Sequence, residues 1–258
     1  MIYESSAIGE IALSLLKTNQ AMRVHSIFNN GFNIVNDKND LIFIGTNKNG
    51  YFPFGITINK YTMHYIKETL QVGDILKTAA SSLNHNDFML SNRNAEVYLY
   101  SKVNKSDTDS IKSVVSSYDF CDYNSSDFSS DFSRDKLNRI LADLENPDVD
   151  FPLAYLVGRG QGLTPSGDDI ITGILYINCL EPFIAENHLN SLKLYIRESV
   201  TTIVSENFIR LALEGVFSRR ITDIGETPDK ETVDALLELG SSSGRDTLYG
   251  IYMTLNRR

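Results

Sequence analysis

The sequence predicts an α+β protein in which an amino-terminal β-rich unit is followed by a mostly helical carboxy-terminal domain, instead of strands and helices alternating. Three observations carry that expectation. Between Arg23 and Ser101, short apolar segments (VHSIF, FNIV, LIFIG, FGITI, VGDIL, VYLYS) are punctuated by Asn, Gly and Asp, the pattern of short strands joined by tight turns. From Asp135 onward the apolar residues recur at helical spacing. Between Ser116 and Arg134 neither period survives, and Ser and Asp dominate. The expected organisation is a β-rich domain over residues 1–115, a Ser/Asp-rich linker or excursion over 116–135, and a helical domain over 136–258.

Taken in order, Ile8, Ile11, Ala12, Leu15 and Leu16 predict a short amphipathic helix within Ser6 to Thr18. The turn signals Asn30-Gly31, Asn36 to Asn39 and Asn47 to Gly50 supply residues that tolerate positive φ. The middle segment carries Tyr118, Phe120, Tyr123, Phe128 and Phe132, an unusual load for a free linker, so it is expected to lie against a domain or to anchor a partner. The helical segments are DKLNRILADLE, DDIITGILYINCL, a long stretch from His188 to about Gly215, ETVDALLELG and DTLYGIYMTL.

With 258 residues and 42% hydrophobic content, the chain can bury a sizeable core. A formal charge of -9 argues against a nucleic-acid or anionic-membrane surface, which needs clustered Lys and Arg. No apolar run approaches the roughly 20 residues that span a bilayer. Cys121 and Cys179 are too far apart for a CxxC metal site, and no basic-then-apolar leader is visible. The expected location is therefore the reducing cytoplasm. His25, His64, His85 and His188 are scattered without metal-ligand spacing, and no nucleophile signature surrounds either cysteine.

The chemistry is concentrated in GRGQGLTPSGDD, Gly158 to Asp169. Gly158, Gly160 and Gly162 let a loop bend with its N–H groups exposed, and the helix behind it adds about half a positive charge at its first turn. That combination makes an anion site. The loop lacks the GxGxxG and GxxxxGK[ST] forms, which argues against a nicotinamide or Walker nucleotide site. Ser166-Gly167-Asp168-Asp169 with Gly173, and Ser243-Gly244-Arg245-Asp246 with Gly250, share the pattern S-G-x-D-x-x-x-G. Each Ser is expected to cap its helix while its Asp reaches back, as in a capping box. The paired glycines suggest close helix packing, with both helix starts converging on one pocket.

A phosphate beside Asp168 and Asp169 would be repelled unless something compensates. Asp169 could be spent on capping, a divalent cation such as Mg²⁺ could bridge carboxylate and phosphate, or Arg159 and Arg245 could supply charge. Asp169 and Asp246 are read as structural, and Asp168, which the capping box leaves over, as functional. Thr201, Thr202, Ser205, Glu206 and Asn207 put an uncommon number of polar groups on the long helix, with a stripe facing the site as the less favoured of its readings.

The run GRGQGLTPSGDDIITGIL, the later GSSSGRD and the early RVHSIFNNGFNI resemble the small-subunit family of oxamate carbamoyltransferase, an enzyme of anaerobic allantoin breakdown, over the chain from about residue 20 to its end. Where that family leads one to expect a His before Ser-Ser-Gly, this chain has Ser241. The resemblance implies carbamoyl transfer between carbamoyl phosphate and oxamate, giving oxalurate and phosphate, or the reverse, in an assembly with other carbamoyltransferase subunits. Asp168, Ser166 and Ser243 are then the candidate catalytic groups. Gly158, Arg159, Gly160, Gly162, Thr164, Gly167, Gly244, Arg245 and Asp246 are the candidate substrate-binding groups. No cofactor is demanded beyond the Mg²⁺ option. The competing readings are a metabolite-binding or scaffolding subunit and a magnesium-dependent phosphotransferase.

Overall fold

A computed structural model describes residues 1–100, 107–124 and 129–257, and it has the segregated α+β architecture. The chain divides into two units, Met1–Ser101 and Lys102–Arg258.

The first unit contains β1 (Ile2–Glu4), β2 (Ala7–Gly9), α1 (Glu10–Leu16), β3 (Ala21–Phe28), β4 (Gly31–Val35), β5 (Leu41–Gly45), β6 (Gly55–Thr57), α2 (Lys60–Thr69), β7 (Ile75–Ala79), β8 (Ser82–Asn84), β9 (Met89–Ser91) and β10 (Glu96–Tyr98). The sheet runs β1-β9-β8-β7-β3-β4-β5-β6-β2-β10. Although β1 and β2 are separated only by Ser5 and Ser6, they sit near opposite ends of that order. The Ser5 amide donates to Ser91 O at 3.0 Å and the Ser6 amide to Thr57 O at 2.8 Å, so the sheet must curl until a single extended segment closes it.

Alternation explains the filling: Met22, Val24, Ile34, Ile42, Ile44, Ile56, Leu76, Leu83 and Leu90 point into one buried core. Asn36 makes its turn as expected of that residue type, its Oδ1 accepting the amides of Lys38 at 2.9 Å and Asp40 at 2.8 Å. The amino-terminal helix begins at Glu10, later than its periodicity suggests, because Ala7–Gly9 pairs with β6 and β10 instead. Sheet pairing satisfies a whole ladder of amides, and at this end it overrides a weak helical pattern.

The second unit comprises α3 (Thr108–Val115), α4 (Arg134–Glu145), α5 (Ser166–Leu180), α6 (Glu186–Tyr195), α7 (Ile203–Leu213), α8 (Arg219–Glu226), α9 (Lys230–Leu237) and α10 (Ser243–Leu255). Helix α3, placed by the sequence pattern in the β-rich part, buries Ile111 and Val115 in the helical core. The stretch from His188 to Gly215 is two helices, not one. Ser199 adopts φ 57° between them, and Thr202 caps α7 by accepting the Ser205 amide. Helix α5 is central and apolar nearly all round, with Ile170, Ile171, Ile174, Leu175, Tyr176 and Ile177 buried, as a helix wrapped by others must be.

The aromatic residues of the middle segment are not free anchors. Phe120, Tyr123 and Phe132 belong to the same core, and Tyr123 stacks on Tyr249 of α10 with ring centroids 3.8 Å apart. This corrects the partner-anchor expectation for these three. Burying such rings within the chain removes about 150–250 Å² each from water. Phe128 lies outside the described residues.

Candidate functional site

Helices α5 and α10 lie side by side with their N-termini together, and the glycines make this possible. A Cβ on Gly173 would fall on the Thr247 carbonyl oxygen, and one on Gly250 on the Ile170 carbonyl oxygen. The approach to each helix repeats as well. Gly167 and Gly244 would each place a Cβ on a carbonyl of the preceding segment, Leu156 and Leu236 respectively. The Gly167 amide donates to Arg159 O at 2.8 Å, and the Gly244 amide to Leu239 O at 3.0 Å. The repeated sequence grammar is thus a repeated structure, with a longer connection ahead of α5.

The capping boxes expected at Ser166 and Ser243 are not formed. The cap positions are Pro165 and Ser242, neither with a side-chain cap bond, and Ser166 and Ser243 are the first helical residues. The Asp residues act across the helix pair instead. Ser243 and Thr164 hydroxyls support the Asp169 carboxylate, while Tyr123, Ser166 and Ser242 support that of Asp246. Thr164 Oγ1 lies 2.5 Å from Ser243 Oγ. Parallel helices place the partner's first turn nearer than a helix's own cap, and Pro165 has no side-chain oxygen to offer.

Asp168 is tied into the base of the loop. It is 2% exposed; its Oδ1 accepts the Gly158 amide at 2.8 Å, and its Oδ2 accepts the Thr201 hydroxyl. It therefore fastens the start of the loop to the segment before α7. Burial raises its pKa, opposed by those donors. The Thr202 hydroxyl adds a second tie, donating to Leu163 O at 2.5 Å. Three helix N-termini, of α5, α7 and α10, thus meet around one loop. From the polar stripe, Thr201, Thr202 and Ser205 face this region, whereas Asn207 donates back to Ile203 O at 2.8 Å.

Within the loop, Gly158, Gly160 and Gly162 have φ of 70°, 124° and 87°, values that L residues rarely adopt. Gly158 and Gly160 are also packed against Val200 O and the Ser166 amide, while Gly162 faces open space. The amides of Gly167, Asp168 and Asp169 are already engaged by Arg159 O and Pro165 O. Among the described residues, the amides of Gly160, Gln161, Gly162 and Leu163 donate to no protein acceptor. The open amides thus lie ahead of the first turn of α5, whose Gly167, Asp168 and Asp169 amides are taken.

The two arginines are committed elsewhere. Arg159 donates through Nε to Tyr155 O at 2.8 Å, pairs with Asp131 at 3.3 Å and lies over the Tyr155 ring. Arg245 pairs with Asp122 at 2.6 Å and donates to Asp119 O at 2.9 Å. Sequence reasoning missed Tyr123, whose hydroxyl donates to Asp246 Oδ1 at 2.5 Å; only the aromatic load of its segment hinted at burial. Among the described residues no group of three or more potential metal ligands occurs, and no helix is long and apolar enough to cross a membrane. Within this unit, His188 Nε2 lies 2.9 Å from Asn146 O.

The family model described as oxamate carbamoyltransferase subunit AllH matches residues 156–255, the loop and both paired helices. The AllH family N-terminal domain matches residues 5–97, the curled sheet. The chain belongs to the AllH family. No solved structure matches this AllH-family chain. Its two matched regions fall one in each structural unit, and the carboxy-terminal match contains every residue of the loop.

Burial lifts the Asp169 carboxyl well above the usual aspartate range, and the Asp246 charge lifts it further. Burial also raises Asp246. A raised carboxyl contributes stability that is present in full below its unfolded pKa of about 3.9 and is lost as pH rises through the folded value. Stability is therefore expected to fall from about pH 4 upward through this pair, and Asp169→Asn to flatten that slope. Urea midpoints across pH test this; parallel slopes for both proteins would contradict it.

Proposed function

We propose that this AllH-family chain is one subunit of a carbamoyltransferase interconverting oxamate plus carbamoyl phosphate with oxalurate plus phosphate, and that its Gly158–Ser166 loop holds the small anion. The observation that carries this reading is the convergence of three helix N-termini on a loop whose amides at Gly160 to Leu163 have no protein acceptor. Each helix start carries about half a positive charge. Carbamoyl phosphate and oxamate are both anionic, and charge develops on the carbamoyl oxygen during transfer, where oriented N–H and O–H groups are most effective.

Attack by the oxamate nitrogen on the carbamoyl carbon requires alignment more than a covalent intermediate. In this assignment Gly160 and Gly162 supply amides, and Thr164, Ser166 and Ser243 supply hydroxyls. Gly158, Gly167 and Gly244 shape the backbone, and Asp168 is a positioning residue. Arg159 and Arg245 are neutralised by Asp131 and Asp122, so the cation that a phosphate clamp needs comes from another subunit. The two free thiols, Cys121 and Cys179, fit a reducing cytosol.

Oxalurate phosphorolysis measured with the purified chain, then with its partner subunits added, tests this assignment. Little turnover alone and a large gain on reconstitution are expected. Full turnover by the isolated chain would contradict the divided site, and no gain on reconstitution would favour a non-catalytic metabolite-binding role.

A further inference from the structure

The Asp169 and Asp246 carboxyls are an unusual pair for a buried helix crossing. Asp246 is 4% exposed, and one of its oxygens accepts the Tyr123 hydroxyl. Its Oδ2 is sealed from solvent without a hydrogen-bond partner, and so is the Oδ2 of Asp169. An unpaired buried carboxylate oxygen is costly, and two of them in mutual repulsion more so.

Arg245 eases the Asp246 charge, and among the described residues no cation acts on Asp169. From the loop comes Thr164; from α5 come Ser166 and the further negative charge of Asp168. From α10 and its cap come Ser242, Ser243 and Arg245, whose guanidinium is bound to Asp122 and Asp119 O. From the segment before α4 comes Tyr123, kept a neutral donor because burial and Asp246 both oppose its ionisation. A single proton shared by the pair would remove one of the two buried charges. The charge that remains is favoured by the converging helix N-termini.

We propose that Asp169 and Asp246 share one proton at neutral pH and that Asp169, the partly accessible member beside Thr164, exchanges it with the bound substrate. The catalytic part rests on the carbamoyltransferase reading above. In phosphorolysis, a phosphate oxygen bonds to the carbamoyl carbon of oxalurate as its bond to the leaving amide nitrogen breaks. That nitrogen takes the proton from Asp169, and the phosphate hydroxyl proton returns to the pair. The reverse reaction retraces the same transfers, with no oxidation or reduction.

Infrared spectra of the full chain carrying carboxyl-labelled aspartate separate the two parts of the proposal. A protonated-carboxyl band at pH 7 that is lost in both Asp169→Asn and Asp246→Asn is expected, and its absence from the unaltered chain overturns the shared proton whatever the enzyme does. A band abolished by millimolar Mg²⁺ would mean that a cation holds the pair, which also overturns it. In the reconstituted complex, Asp169→Asn should lower kcat about 100-fold or more, remove one limb of the pH profile and leave the KM for phosphate within about twofold. An unchanged pH profile in a folded Asp169→Asn complex overturns the catalytic step. A complex with no carbamoyl transfer at all would sink the carbamoyltransferase reading, and the catalytic step with it, while the infrared result still decides the shared proton.

Discussion

Gly173→Ala is expected to lower the stability of the helical unit by about 1–3 kcal/mol, the range for a forced steric intrusion into a well-packed core. The added methyl falls on the Thr247 carbonyl oxygen and close to the Ile251 amide, both backbone atoms of α10. Neither can swing aside as a side chain would, so the helices must separate. Alanine's better helix propensity recovers only about 1 kcal/mol. Gly250→Ala meets the Ile170 carbonyl in the mirrored way and should behave alike. Separation of α5 from α10 would also displace Ser166 from Asp246 and Ser243 from Asp169, so the pH slope of stability should change in the same variants. Urea unfolding with unchanged midpoints would show that the two helices do not depend on this close crossing.

Asp168→Ala should be comparably damaging, by about 2–3 kcal/mol, since it strands the part-buried Gly158 amide and Thr201 hydroxyl, each costing at the lower end of about 1–3 kcal/mol when left unsatisfied. Asp168→Asn keeps an acceptor for the Gly158 amide and should lose less. The same substitutions should weaken anion binding, because the loop start is no longer fastened to the segment before α7. Thermal denaturation and phosphate titration of the two variants check both effects; an Asp168→Ala protein as stable as the original, with altered ligand affinity alone, would return Asp168 to a direct functional role.

The two helix starts separate the local signals of the sequence from its tertiary ones. The alternating segments of the first hundred residues and the helical period after Asp135 are local signals, so the α+β class and its order along the chain were legible. The Gly158–Asp169 loop and its echo at Ser243 were legible for the same reason: positive-φ glycines and a repeated helix start leave a mark in one stretch of chain. Which Asp does what is a tertiary question. A capping box and a cross-helix hydrogen bond use the same Ser and Asp spacing, and only the parallel placement of α5 against α10 decides between them. Likewise Tyr123 reaches Asp246 across 123 residues of chain, a contact for which no spacing rule exists. The break at Ser199 was hidden because a single left-handed residue barely disturbs the apolar period on either side.

The family models match a region of each unit of the chain, and the proposal places the anion at the loop. Amide shifts of the ¹⁵N-labelled chain during titration with carbamoyl phosphate test that claim most directly. Saturable shifts are expected at Gly160, Gln161, Gly162 and Leu163, with the already bonded amides of Gly167 and Asp168 moving far less. Shifts confined to other parts of the chain, or none at saturating ligand, would contradict the assignment of this loop as the anion site.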